Sequence, residues 1–183
     1  MDTATRTYLQ NLYSEDRQLQ NDAFFAILAA TDKPVDWAYE VWDDLLKGLT
    51  HKDNHVRAIA AQVLCNLAKS DPDARMLKDL DALIAVTKDE RFVTARHTMQ
   101  ALWKVGAAGA PQRAKLVDGL AGRFKDCITE KNCTLIRFDI IQSLRNVYDA
   151  VGDETVKSTA LALIETEADV KYRKKYASVW KVK

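Results

Sequence analysis

The chain is poor in the residues that break or cross-link a polypeptide. Three prolines and six glycines in 183 residues are too few to punctuate a many-stranded β fold. No apolar run approaches the roughly 20 residues that cross a bilayer as a helix, and Met1 to Tyr13 lacks a basic-then-apolar leader, which together predict a cytoplasmic protein. The three cysteines, Cys65, Cys127 and Cys133, are odd in number and make no C-x-x-C pair, so reduced thiols are expected and neither a disulfide framework nor a zinc site. Catalytic signatures are missing too: no serine sits in a G-x-S-x-G turn, no cysteine and histidine form a recognisable motif, and no G-x-x-x-x-G-K loop exists for a nucleotide. A non-enzymatic protein without cofactor or metal is therefore expected.

What is present is a helical repeat. At 48% hydrophobic the chain is too apolar for disorder. Pro34, Pro72 and Pro111 lie 38 and 39 residues apart, each ahead of an apolar stretch, and are expected in the first turn of a helix, where a missing N–H costs nothing. The clearest unit begins at Asp53, placed to cap a helix, with Val56, Ala60, Val63, Leu64 and Leu67 on one face at three- and four-residue spacing. Sliding Arg57 along the chain finds Gln20, Arg96, Arg137 and Arg173 as its equivalents, at steps of 37, 39, 41 and 36 residues. Three positions on stand Ala23, Ala60, Met99, Ile140 and Tyr176, and seven on stand Ile27, Leu64, Trp103, Leu144 and Trp180, apolar in every copy. Asp16 and Asp169 repeat the cap, whereas Phe92 and Cys133 replace it in the third and fourth units. The pattern predicts first helices at about 3–13, 35–50, 72–88, 111–127 and 153–167, and second helices at about 16–31, 54–70, 91–106, 133–150 and 169–181. The units fall at about 1–32, 33–70, 71–108, 109–151 and 152–183 of one repeat domain. A hairpin of two helices cannot bury its own apolar face, so such units stack.

The D-x-x-V-R run of Asp53 to Arg57, followed by small residues and Leu64, resembles the second helix of a HEAT repeat. That resemblance, to the HEAT and armadillo class, implies an all-α, right-handed α-solenoid of about five helical hairpins. It further implies that second helices line a concave, partner-binding face and that Asp53 with Arg57, like Asp169 with Arg173, serves inter-repeat ladders.

Charge then points to a site. Residues 1–90 hold 10 Lys and Arg against 16 Asp and Glu, a net of −6, while residues 91–183 hold 17 against 10, a net of +7. In a solenoid, chain order is spatial order, so opposite ends carry opposite sign, and salt-sensitive head-to-tail association of copies is expected. On the stripe opposite the core, one, five and eight residues after each register position, the C-terminal half presents His97, Lys104, Phe138, Gln142, Arg145, Lys174 and Lys181. These are the expected contacts for a protein partner, an acidic one by charge. Trp42, on an acidic and aromatic first helix, is expected to stand outside as a further partner contact.

Nucleic acid is the alternative partner, because Lys171 to Lys183 carries six bases and no acid, with Tyr172, Tyr176 and Trp180 at four-residue steps. That step also places the rings on the core register, as a closing helix requires. Resemblance to HEAT-like alkylpurine DNA glycosylases has Asp139 near Trp103 as its nearest catalytic match, and a resemblance to phycobilin lyase-type repeats is a third reading. His51 and His55 stand four apart like metal ligands, but the register puts a turn between them. Cys127 and Cys133 flank another such turn.

Overall fold

Aspartates start most of the second helices. The computed structural model describes residues 1–181; Val182 and Lys183, the last of the basic terminal segment, lie outside the described residues. Asp16 accepts hydrogen bonds from the Gln18 and Leu19 N–H groups, Asp53 from His55 and Asp169 from Lys171, each satisfying a free N–H of a first turn. The helices run in pairs: α1 (Thr3–Asn11) and α2 (Arg17–Ala30), α3 (Ala38–Gly48) and α4 (Asn54–Leu67), α5 (Met76–Val86) and α6 (Phe92–Ala101), α8 (Ala110–Asp126) and α9 (Cys133–Val151), α10 (Glu154–Glu165) and α11 (Val170–Ser178). A short α7 (Trp103–Ala108) continues α6, and 3-10 turns close α4 (Ala68–Ser70) and α8 (Cys127–Thr129). No strand occurs among the described residues.

Two local expectations need correction. The second helix predicted over 91–106 is broken at Leu102, where the Val105 N–H reaches back only three residues to the Leu102 carbonyl and tightens the turn. Of the prolines, only Pro111 occupies a first helical turn. Pro34 and Pro72 sit in the connecting loops, ahead of helices that begin at Ala38 and Met76.

The helices form two layers over one continuous apolar core. Second helices pack on one another at every seam (α2 on α4, α4 on α6, α6 on α9, α9 on α11), and among the first helices α5 packs on α8 and α8 on α10. The register residues behave as the repeat requires: Ala23, Ala60, Met99, Ile140 and Tyr176 are all buried, as are Ile27, Leu64 and Leu144. Each fully buried leucine or isoleucine contributes about 1.5–3 kcal/mol against leaving it in water. Gly48 permits a close approach of α3 to α4, since a Cβ there would stand 2.8 Å from the Ala60 Cβ. Gly152 ends α9 in the left-handed region at φ +67°, its N–H on the Tyr148 carbonyl.

Ion pairs stitch the seams. Arg17 reaches Asp53 at 2.7 Å, Arg57 reaches Asp89 at 2.5 Å, Arg96 reaches Asp139 at 2.7 Å and Arg137 reaches Glu167 at 2.8 Å, always from one hairpin to the next along the chain. The ladder implied by the HEAT resemblance therefore exists, but its partners differ from the pairs read within one helix. Asp53 is gripped from the hairpin before it, while Arg57 grips the one after. Burial pushes the Asp89 carboxyl up, yet the Arg57 guanidinium and the Arg91 N–H outweigh it and hold it below its ordinary value.

Candidate functional site

The face lined by the second helices carries the expected stripe, but much of its charge is already committed. Lys104 is half-buried and donates to the Asn66 side-chain oxygen, while Asn66 donates in turn to the Leu28 carbonyl and, at 3.0 Å, to the Thr31 hydroxyl. This polar thread ties the third hairpin through the second to the first. Burial pushes the Lys104 ammonium down from its ordinary value. Arg145 pairs with Asp149 at 2.8 and 2.9 Å and lies over the Tyr148 and Trp180 rings. Gln142 bonds Asn146, and the partly buried Phe138 has the Lys175 ammonium over its ring at 4.9 Å. His97, Lys174 and Lys181 are exposed. The basic groove expected along the C-terminal half is thus interrupted by structural pairings, and its exposed cations gather on and beyond α11.

Trp42 is not an outer contact. It is fully buried, its indole N–H donates to Asp79 at 2.9 Å, the Tyr39 ring meets it edge-on, and Arg75 covers its face. Trp37 is buried as well. The aromatic side chains of α3 reach the core because the next hairpin offers carboxylates to the polar edges of their rings, with the Tyr39 hydroxyl donating to Asp71 at 2.5 Å. Asp139 is likewise occupied: 3% exposed and held bidentately by Arg96, it is a rung of the seam and offers no carboxylate to a bound base.

A concavity lies at the other end of the same face. A shallow hollow of about 480 Å³ spans α2, α4 and α6, with Phe24, Phe25, Ala58 and Ile59 as its apolar floor and wall. Asn21, His55, Gln62 and His97 supply polar edges, and Arg17 closes one side while bonding Asp53. Phe25 is 59% exposed, an unusual cost for a phenylalanine on a helix flanked by apolar neighbours. The hollow exists because α4 puts the small Ala58 where a longer residue would fill the space. Of the expected contacts His97 lines this hollow, and Asn21, Phe25, Ala58 and Gln62 stand on the same stripe in the N-terminal half. Phe25, Phe24, His55 and Ile59 were not among the expected contacts, although the fifth-residue spacing that selects Gln142 also selects Phe25. A search guided by charge passes over it.

No helix among the described residues is long and apolar enough to cross a membrane. No family model and no curated protein sequence matches this chain. Among solved structures it is similar to two engineered proteins: one at 16% identity and TM-score 0.53, covering 98% of this chain and 88% of the other, and one at 18% identity and TM-score 0.50, covering 97% and 95%. A designed armadillo repeat protein in complex with the peptide (KR)4 superposes more loosely, at 14% identity and TM-score 0.48, over 98% of this chain and 88% of that one. Hairpins stacked in chain order over a continuous core make this chain an all-α solenoid of helical repeats.

Proposed function

We propose that the protein is a non-enzymatic interaction scaffold that binds a segment of a partner protein along the face of its second helices. The observation that carries this reading is the hollow around Phe25: an exposed aromatic beside small and branched apolar residues, ringed by groups that can donate and accept hydrogen bonds. A partner side chain seated there would remove Phe25 from water, and the histidines and amides at the rim would hold its backbone. Toward α11 the same face offers Lys174, with Lys171 and Lys175 beside it, all exposed. The segment that fits both ends has an apolar anchor and acidic residues beyond it, so shape selects at one end and charge steers at the other.

The test is affinity capture from the native cell after nuclease treatment, with the Phe25→Ala and Lys174→Glu proteins in parallel. Specific protein partners that are lost with Phe25→Ala and weakened at high salt with the unaltered chain support the scaffold. Recovery of nucleic acid alone from untreated lysate, with no protein retained, overturns it.

A further inference from the structure

Cys127 ends α8 and Cys133 opens α9, and the turn between them folds the two sulfurs together at 2.6 Å. That is inside the van der Waals separation of two thiol sulfurs and about half an ångström longer than a disulfide bond. The approach is imposed by the surroundings. Arg123, almost wholly buried, grips Glu130 of the same turn with bonds of 2.6 and 2.7 Å while donating to the Thr87 carbonyl of the preceding hairpin at 3.1 Å. On the other side Arg137 donates to the Phe124 carbonyl at 3.0 Å and lies over the Phe124 ring, pinning the end of α8 to α9. The closing helix seals the pocket, its Tyr176 hydroxyl donating to the Thr134 carbonyl at 3.0 Å.

The two thiols are not equivalent. Cys127 is fully buried, and burial together with the contact to Cys133 pushes its thiol up to about 12. Cys133 is partly exposed, so a reagent in solution meets it first. The arrangement is that of an attacking thiol with a resolving thiol already in place behind it.

We propose that Cys127 and Cys133 are a reversible redox couple that closes an intrachain disulfide when the protein meets a low-molecular-weight disulfide of the glutathione type. The Cys133 sulfur, losing its proton, attacks one sulfur of the oxidised reagent; a mixed disulfide forms and one glutathione thiol leaves. The Cys127 sulfur, losing its proton in turn, attacks the Cys133 sulfur and displaces the second glutathione. Two S–H bonds and one S–S bond are consumed, one S–S bond and two glutathione thiols are produced, and two electrons pass to the reagent. The new bond would tie the end of α8 to the start of α9 directly beneath the basic closing helix.

The full-length protein is equilibrated in buffers running from reduced to oxidised glutathione, acid-quenched, unfolded, alkylated and weighed by mass spectrometry. The expected result is a fall from three alkylated cysteines to one, a linked peptide joining Cys127 to Cys133, and return to three on adding dithiothreitol. The Cys65→Ser protein should fall from two to none, and Cys133→Ser, checked for native helicity, should show no linked peptide. Three alkylated thiols throughout the series, or a lasting glutathione adduct on Cys133 without the internal bond, would overturn the proposal.

Discussion

Leu64→Ala tests the assignment of faces most directly. Leu64 lies in the middle of α4, fully buried, with α2, α3 and α6 packed around that helix. The change removes three carbons, a transfer loss of about 2.4 kcal/mol at about 0.8 kcal/mol per methylene. A cavity penalty adds to it, since helices held from several sides relax little, and the expected total is about 2–5 kcal/mol. For a chain of this length each kcal/mol moves the midpoint by about 2–4 °C, so a loss near 3 kcal/mol lowers Tm by roughly 10 °C. Phe25→Ala is the matched control: with Phe25 mostly in water, the expected cost is about 0.5 kcal/mol. Thermal unfolding followed by circular dichroism, with urea titration to confirm an unchanged slope, measures both. Equal losses from the two substitutions would refute the assignment of core and binding face together.

The seam pairs make a graded prediction. Arg57→Met leaves the Asp89 carboxylate, 6% exposed, without its partner and should cost about 3–5 kcal/mol, whereas Arg17→Met, in a pair whose guanidinium is 53% exposed, should cost at most about 1 kcal/mol by urea denaturation. Gly152→Ala forces a side chain into the left-handed region and should cost about 1–2 kcal/mol, read as a fall in Tm. Acid should weaken the array through Asp53 and Asp89. Burial pushes both carboxyls up, but arginine and backbone N–H bonds prevail and leave them below the unfolded value of 3.8. Their contribution is therefore complete above that value and disappears as pH falls through the lower folded values, so urea midpoints should be flat from pH 7 to 5 and drop below pH 4. Arg57→Met should lose part of that drop.

Helix positions were legible because their signals are local. The Asp16, Asp53 and Asp169 caps act within three residues, and the three- and four-residue spacing of Ala60, Val63, Leu64 and Leu67 is a property of one helix. What the sequence hid lies between hairpins. Trp42 reads as surplus on its own helix, and Asp79 and Arg75, both of the next hairpin, account for its burial. Lys104 reads as a solvated cation until Asn66, 38 residues earlier, is found beneath it. The same distance effect misassigned the arginines: Asp53 and Arg57 suit each other at helical spacing, but Asp53 accepts from Arg17 and Arg57 donates to Asp89, each on a neighbouring hairpin. Pro34 and Pro72 show the converse error, since regular spacing along the chain says that a junction is near without saying on which side of it the ring stands.

Because Arg17, Arg57, Arg96 and Arg137 each reach forward to an acid of the following unit, the second helices are joined like tongue-and-groove boards laid in one direction, while between the first helices Arg75 to Asp43 and Lys115 to Asp81 run the other way. A joint of that kind is keyed: a unit set into the row in reverse would bring its base against the base of the unit before it.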